Sequence, residues 1–466
     1  MFFNSLQYAA FLPVVWIVYR VLRRVPQQNA WLLLASYVFY GFWDWRFLGL
    51  ILVSTAVDYT VSRLMRPAAE PLRKQLLLVS LVVNLGLLVT FKYFGFFVES
   101  TASLLRTFGL EPNLPLLKIL LPVGISFYTF QTISYTFDVF RRRIEPEENP
   151  VTFALYVPYF PQLVAGPIER AQHLLPQIQG ERRRADEHDI LSGLRLILVG
   201  LFKKVAIADA VAPLVAKSFN SPGGSVSAAI GILAFSLQIY GDFSGYTDIA
   251  RGTSRLFGIE LIRNFRQPYL SRNITEFWRT WHISLSNWLH DYLYVPLGGN
   301  RNGALSTYRN LMLTMLIGGL WHGASWTFVV WGGLHGLYLV AERAIGVSEH
   351  RGVRPPIRAG QLPSKLFTFA LVSMTWVFFR ADDFGQAMDV FRSLFSGSGG
   401  LPIEDVILVG VIALEVLLMD LYARRQPALM KVLQYPVVEG FAYGMLAVGV
   451  IVWSGGGGAQ FIYFQF

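Results

Sequence analysis

The sequence predicts an all-α, multi-pass membrane protein with roughly eleven transmembrane helices and additional re-entrant segments. Of the 466 residues, 53% are hydrophobic and 15% are charged, whereas a soluble domain carries about 25% charged residues. The mean hydropathy is +0.43. A soluble domain has too little interior to bury that much apolar surface, and a bilayer supplies the missing apolar environment. We expect a single membrane domain over residues 1–466, because the sequence shows no internal repeat.

Composition also excludes several kinds of chemistry. The chain contains no cysteine, which excludes disulfides, a thiolate nucleophile, cysteine-ligated zinc and iron–sulfur clusters. The net charge of +10 comes from short basic clusters between apolar runs. That pattern is typical of cytoplasmic loops facing anionic membrane lipid, and we therefore expect no nucleic-acid partner.

The apolar runs of the first third alternate with loops of differing charge. The predicted spans are Leu6–Tyr19, Ala30–Trp43, Phe47–Val61, Leu76–Phe91 and Leu116–Phe137. Basic residues follow the first, third and fifth of these spans, which places those loops in the cytoplasm and the amino terminus in the periplasm. A cleaved signal peptide is disfavoured, because its basic residues precede its apolar run.

Val151–Pro167 breaks this alternation. The segment is apolar, contains Pro158 and Pro161, and has basic loops on both sides. A re-entrant segment would keep both loops in the cytoplasm. Irregular backbone at membrane depth is tolerated only where it is buried in protein or lines a cavity, so we expect this segment to help form a cavity.

The second half combines spans with an unusual polar stretch. The predicted spans are Ile190–Lys217, Ala228–Tyr240, a glycine-interrupted Leu311–Val340, Phe367–Phe379, Val406–Leu421 and Phe441–Trp453. Between the second and third of these, residues 242–310 contain no apolar run of spanning length, which predicts amphipathic or buried helices on the cytoplasmic side. The alternation places the carboxyl terminus in the periplasm.

His322 is the first candidate for chemistry. It follows Trp321 in a glycine-rich apolar run, and an ionisable residue at membrane depth is a functional hypothesis by default. Apolar surroundings keep an imidazole neutral, and a neutral imidazole can act as a general base. A structural histidine that bonds a neighbouring helix is the alternative. For His335, in a second glycine-rich stretch, we favour that structural interpretation.

His282 is the second candidate. It lies in Asn273–Tyr294, where Trp278, Trp281, Leu285 and Trp288 are spaced to share one helix face. We expect Asn273 or Thr275 to cap this helix and His282 to share a face with Ser286. An interfacial helix with its aromatic side chains at headgroup level is the alternative. The fold must bring His282 and His322 together if both act, and two histidines alone are too few ligands for a metal.

A third cluster contains Asp242 and Asp248. Carboxylates near membrane depth are costly unless paired, and Arg251, Arg255 or Arg279 could pair them. We favour a buried ion-pair network over the alternative, a proton relay.

Eight segments resemble, in order, the membrane-bound O-acyltransferases, and within them the bacterial branch that O-acetylates exopolysaccharides. They are Leu121–Tyr128, Leu163–Ile168, Tyr240–Tyr246, Phe277–Ser286, Asp291–Tyr294, Leu297–Arg301, Gly319–Ala324 and Phe461–Phe464. The resemblance implies a fold with a central funnel in the bacterial inner membrane. It implies no bound cofactor and acetyl-CoA as the cytoplasmic acetyl donor. The implied partners are a periplasmic or membrane-anchored acetyltransferase of the SGNH type, a polysaccharide synthase complex and membrane lipid.

The resemblance also implies roles for residues. His322 matches the essential catalytic histidine of the family, and His282 matches its polar partner. We add five candidate supporting residues, Trp321, Asp242, Tyr246, Ser286 and Asp291. The branch usually has arginine where this chain has His290. The chain is also shorter than the longest members, which suggests another polymer, such as cellulose, in place of alginate.

Two alternative functions stay open at this point. A proton-coupled transporter or flippase would use Asp242, Asp248 and His322 as a relay, and such proteins usually show two matching halves. An acyltransferase for a lipid, peptidoglycan or teichoic-acid acceptor would use the same histidines on another substrate.

Overall fold

The computed structural model is helical throughout, and none of the residues that it describes forms a strand. The description covers residues 1–111, 120–164, 166–182, 184–347, 359–397, 399–400, 403–426, 430, 435–454 and 461–462. The prediction of an all-α protein is confirmed. Within this part of the chain, six helical stretches are long and apolar enough to cross a membrane: Val25–Met65, Glu70–Thr107, Ser225–Leu256, Leu362–Arg380, Ile403–Ala423 and Pro436–Trp453. The count of roughly eleven spans stays a prediction.

The chain forms two compact units. The first comprises residues 1–194 and 250–262, and the second comprises residues 195–249 and 263–466. The organisation as a single domain and the central funnel stay predictions.

The described part of the first unit contains ten α-helices, of which five correspond to the predicted spans of the first third of the chain, while the helix Phe94–Thr107 was not predicted. The ten helices are α1 (Leu6–Val21), α2 (Val25–Asp44), α3 (Leu48–Met65), α4 (Glu70–Leu88), α5 (Phe94–Thr107), α6 (Ile125–Phe140), α7 (Pro150–Tyr156), α8 (Phe160–Leu163), α9 (Ala171–Gln179) and α10 (Glu187–Phe202), the last of which continues into the second unit. A π-helical turn at Val89–Tyr93 joins α4 to α5. The first residues of the predicted span Leu116–Phe137 lie outside the described residues.

A buried carboxylate in α3 shows how this unit satisfies polar groups. Asp58 accepts hydrogen bonds from Asn84 at 2.8 Å, from Thr136 at 3.0 Å and from Ser80. These donors lie on α4 and α6, so one acidic side chain links three helices. The hydrogen bonds offset the cost of burying the carboxylate.

The proline-rich segment predicted over Val151–Pro167 is broken, as expected. It forms the two short helices α7 and α8, and Pro158 lies between them. Gln162 donates to the carbonyl of Tyr156 at 2.8 Å, which satisfies an acceptor at the break. The backbone here is buried in protein, one of the two settings in which irregular structure is tolerated.

Helices of the second unit run from the end of α10 to the end of the described chain. They are α11 (Ala210–Asn220), α12 (Ser225–Leu256), α13 (Ile274–Trp278), α14 (Ile283–Leu289), α15 (Gly303–His322), α16 (Trp326–Ala344), α17 (Leu362–Arg380), α18 (Phe384–Leu394), α19 (Ile403–Ala423) and α20 (Pro436–Trp453). This unit also contains the π-helical turns Lys203–Asp209, which joins α10 to α11, and His290–Tyr294, which follows α14. Most of the predicted carboxyl-terminal tail lies outside the described residues.

The prediction that the span after Ala228 ends at Tyr240 is wrong. Helix α12 has 32 residues and continues to Leu256. It does so because the two carboxylates beyond Tyr240 are paired: Asp242 lies 2.9 Å from Lys204, and Asp248 lies 2.7 Å from Lys203. Ion pairing allows acidic residues to stay inside a buried helix.

Lysines that were not predicted as partners pair with both carboxylates. Lysines of the π-helical turn Lys203–Asp209 pair Asp242 and Asp248, while Arg255 pairs with Glu260 at 2.5 Å.

The prediction of one continuous helix across Asn273–Tyr294 is wrong as well. Helix α13 ends at Trp278, α14 begins at Ile283, and His282 between them adopts a left-handed backbone with φ of 43°. The backbone and side chain of Asn264 cause the turn, because they accept the N–H groups of Ile283 at 2.9 Å and Ser284 at 3.0 Å. The predicted tryptophan stripe therefore does not form one face.

The predicted cap of this region is confirmed. The side chain of Asn273 accepts the N–H of Glu276 at 2.7 Å, the hydrogen bond expected of an amino-terminal cap.

Helices α15 and α16 form a tight hairpin in place of the glycine-interrupted span. A Cβ atom on Gly319 would lie 2.2 Å from the carbonyl oxygen of Phe328, and one on Gly332 would lie 2.2 Å from that of Met315. Only glycine permits so close an approach of two helix backbones. The hairpin places His322 at the carboxyl end of α15.

Candidate functional site

His322 is the last residue of α15, and aromatic rings surround its imidazole. The exposed fraction of His322 is 3%. Ring centroids lie 5.0 Å away for Trp321, 5.0 Å for Trp331 and 5.3 Å for Phe379. The rings meet edge to face, the arrangement that aromatic side chains prefer. Helices α15, α16 and α17 thus build three sides of the enclosure.

His282 faces the same enclosure from the turn between α13 and α14. Its exposed fraction is 0%, and its ring lies 4.7 Å from Phe243 and 5.9 Å from Trp321. The turn that Asn264 creates gives the residue its position. His282 lies outside the six candidate spans, and burial lowers its pKa to about 3. It is therefore a neutral imidazole across the physiological pH range.

The fold brings the two histidines together. Their ring centroids are 6.2 Å apart, and the ring planes meet at 63°. Trp321 contacts both rings, so the pair shares one aromatic wall. The condition for both histidines to act, that the fold brings them together, is met, and their catalytic roles stay a prediction.

The supporting residues fall into two groups. Trp321 contacts both imidazoles, whereas Asp242 and Tyr246 lie on α12 and are buried. Phe243, their neighbour on α12, makes the contact with His282.

Ser286 does not meet the imidazole of His282 through a shared helix face. Its N–H donates to the carbonyl of His282 at 2.9 Å, and its hydroxyl donates to the carbonyl of Trp281 at 3.1 Å. Ser286 thus stabilises the backbone that carries His282.

Asp291 lies half-buried on the π-helical turn His290–Tyr294. Its carboxylate is 2.6 Å from Nδ1 of His290.

His335 has the hydrogen bonds of a structural histidine. Nδ1 accepts from the indole N–H of Trp278 at 3.3 Å, and Nε2 lies 3.0 Å from the hydroxyl of Thr375. That hydroxyl donates to the carbonyl of Val372 at 2.7 Å, so it accepts from Nε2–H of His335. Both ring nitrogens are therefore engaged with other helices.

Sequence reasoning missed several residues that build the site. Lys204, Asn264, Phe243, Trp331 and Phe379 were not predicted as site residues. Of these residues, only Lys204 could have been found from the sequence, because two adjacent lysines interrupt an apolar run at positions 203–204. The others are ordinary helix or loop residues whose role depends on which elements meet.

One group of side chains has the spacing of metal ligands among the described residues. Asp186, His188 and Asp189 place one ligand atom each within 4.8 Å of one another. They belong to the first unit and are largely exposed. Exposed acidic groups of this kind are common without a metal, so we assign them no site.

Comparison with known proteins identifies the wider group. The family model described as MBOAT, membrane-bound O-acyltransferase family, matches residues 141–379, which include both histidines. The "Probable alginate O-acetylase AlgI" of Azotobacter vinelandii is 43% identical over 83% of this chain and 76% of that protein. The "Peptidoglycan O-acetyltransferase" of Helicobacter pylori is 36% identical over 84% of this chain and 79% of that protein. The "Teichoic acid D-alanyltransferase" of Bacillus subtilis is 29% identical over 49% of this chain and 60% of that protein.

Proposed function

Because the chain belongs to the membrane-bound O-acyltransferase family, we propose that it carries acetyl groups from cytoplasmic acetyl-CoA across the inner membrane for the O-acetylation of an exopolysaccharide. The chain is a multi-pass membrane protein and an O-acyltransferase. The likeness to proteins named as alginate O-acetylases supports a polysaccharide acceptor such as alginate, and cellulose stays an alternative acceptor. The net charge of +10 supports an anionic donor such as acetyl-CoA, because basic cytoplasmic loops attract it.

The single observation that carries the proposal is the convergence of His282 and His322 in one aromatic enclosure, with ring centroids 6.2 Å apart. Aromatic walls exclude water, which strengthens electrostatic interactions inside the site. A reactive thioester is also protected from hydrolysis in such a place.

His322 acts in this proposal as the general base. It removes the proton of the acceptor hydroxyl while the oxygen attacks the thioester carbonyl. The tetrahedral intermediate then collapses, the carbon–sulfur bond breaks, and the thiolate of the donor takes the proton from His322. The carbonyl groups at the carboxyl end of α15 favour the positive charge that His322 carries between these two steps.

His282 acts as an orienting partner. Burial keeps its imidazole neutral, so it offers one N–H donor and one acceptor nitrogen. A neutral donor beside the reacting carbonyl stabilises the developing oxyanion. Its rigid position on the left-handed turn suits that role, because a donor that is already oriented needs no reorganisation during the reaction.

The proposed partners follow from the direction of transfer. The acceptor polymer lies outside the cell, so a periplasmic or membrane-anchored acetyltransferase of the SGNH type receives the acetyl group, beside the polysaccharide synthase. We place both termini in the periplasm, on the distribution of the basic loops.

Replacement of His322 by alanine tests the proposal. In cells that secrete the polymer, we expect acetyl ester on the polysaccharide to fall at least ~100-fold, the usual effect of removing a general base. Immunoblots of membranes must show equal amounts of protein. His188→Ala, at an exposed position in the first unit, is the matched control and keeps its ester. Native levels of ester with the His322→Ala protein would refute the assignment, and the polymer that loses ester identifies the substrate.

A further inference from the structure

The segment Phe461–Ile462, close to the end of the chain, is buried against α12. The exposed fractions are 1% for Phe461 and 3% for Ile462. The backbone N–H of Ile462 donates to Oδ2 of Asp242 at 2.6 Å. The ring of Phe461 lies 4.1 Å from that of Tyr246 and 6.2 Å from that of Phe243. A single carboxylate thus holds the backbone of a segment more than two hundred residues away in sequence.

That carboxylate is itself fixed in place. Oδ1 of Asp242 lies 2.9 Å from Nζ of Lys204, which is buried in the π-helical turn Lys203–Asp209. Lys204 also lies 2.7 Å from Asp209. Hydrogen bonds from a neutral N–H to an ionised carboxylate are stronger than those between neutral groups. The ion pair with Lys204 leaves one oxygen of Asp242 for the backbone of Ile462.

The contacts continue from this segment to the candidate site. Phe243 follows Asp242 on α12, and its ring meets the imidazole of His282 edge to face at 4.7 Å. The ring of Phe461 lies beside that of Phe243, with ring planes tilted by 58°. Packed aromatic rings transmit a displacement because protein interiors have few voids to absorb it. The position of the Phe461–Ile462 segment therefore bears on the position of His282.

We propose that Asp242 is a positioning residue: by accepting the N–H of Ile462 it holds Phe461 against Tyr246 and beside Phe243, and so keeps His282 in register with His322. This inference rests on the proposed function for its effect on activity. The docking of the segment is independent of that function.

Two pairs of substitutions separate this role from that of a charge or a proton relay. Asp242→Asn keeps a carbonyl oxygen for the N–H of Ile462, whereas Asp242→Ala removes the acceptor. Ile462→Pro removes the donor without a change in α12, and Ile462→Ala keeps it. A role in charge or proton transfer predicts that Asp242→Asn is as harmful as Asp242→Ala and that Ile462→Pro is no worse than Ile462→Ala.

Docking is measured first, by labelling a single cysteine in this naturally cysteine-free chain. Ile462→Cys retains the backbone N–H and reports exposure through its reaction with a water-soluble maleimide in native membranes. We expect slow labelling alone and with Asp242→Asn, and labelling about tenfold faster with Asp242→Ala. Asn302→Cys, at an exposed position, is the control and reacts equally in all three backgrounds. Equal labelling of Ile462→Cys in all three would overturn the proposal.

Activity is measured second, as acetyl transfer by membranes that contain equal amounts of protein. We expect Asp242→Ala and Ile462→Pro each to lower kcat about tenfold with little change in the KM for the donor. Asp242→Asn and Ile462→Ala should retain most of the activity. A loss with Asp242→Asn equal to that with Asp242→Ala would overturn the positioning role. If the membranes transfer no acetyl group at all, the proposed function fails, and the labelling result still decides whether Asp242 docks the segment.

Discussion

At the scale of single residues, the hydrogen bonds of His335 mark it as a structural histidine. Both of its ring nitrogens bond to other helices, through Trp278 and Thr375. The sequence could not separate His335 from His322, because both follow tryptophan and glycine in apolar runs. The bonding partners of His335 lie on α13 and α17, which are distant in the chain.

His335→Ala should therefore reduce stability more than His188→Ala, a change at an exposed position. Its loss leaves the buried indole N–H of Trp278 without this acceptor, at a cost of about 1–3 kcal/mol. Thermal unfolding of the detergent-solubilised proteins measures the difference. We expect a lower midpoint for His335→Ala and a midpoint close to the native value for His188→Ala. The reverse order would contradict the structural role of His335.

The buried imidazole of His282 should make stability depend on pH. Burial lowers its pKa from 6.5 to about 3, so between these values the unfolded chain binds a proton that the folded chain does not. The stability of the folded protein is therefore undiminished by this group above pH 6.5. As the pH falls below that value, the free energy of unfolding decreases by about 1.4 kcal/mol per pH unit. His282→Gln should lack this dependence. The free energy of unfolding of the native and His282→Gln proteins is measured at pH 7.5 and at pH 5.5. We expect the native protein to lose more stability between these pH values. Equal losses in the two proteins would contradict the burial of an uncharged His282.

At the scale of elements, the sequence predicted apolar helices well and their interruptions poorly. The predicted span Ala30–Trp43, for example, lies within α2. A long apolar run in a membrane forms a helix because a helix satisfies its own backbone hydrogen bonds. The break predicted after Tyr240 does not occur, because Lys203 and Lys204 approach from a turn forty residues earlier. The break within Asn273–Tyr294 was missed because Asn264 imposes it from outside the segment. Patterns within one segment cannot reveal a partner supplied by another.

The α15–α16 hairpin offers a matched pair of substitutions. A Cβ atom on Gly319 would lie 2.2 Å from the carbonyl oxygen of Phe328, while one on Gly333 would have Leu316 at 3.5 Å as its neighbour. Gly319→Ala should therefore separate the helices and cost about 1–3 kcal/mol. Gly333→Ala should be neutral or stabilising, since alanine favours the helix. Amounts of folded protein and acetyl ester report both effects. Equal tolerance of the two changes would contradict the close packing of this hairpin.

At the scale of the whole molecule, composition and apolar runs sufficed to predict a helical membrane protein. The six candidate spans of the described residues agree with that prediction. The two catalytic candidates were found by their motifs, but the distance between them could not be predicted. It depends on α12, α15 and the turn at Asn264, which lie far apart in sequence. The same holds for the burial of Phe461 against Tyr246.

Acetyl transfer in sealed vesicles of opposite orientation tests the central claim most directly. Acetyl-CoA labelled in its acetyl group is added outside vesicles that carry the polymer-forming system and either the native protein or the His322→Ala protein. We predict labelled acetyl ester with the native protein when the cytoplasmic face is outward, little when it is inward, and none with His322→Ala in either orientation. Equal labelling with His322→Ala, or transfer from the periplasmic face, would contradict the account.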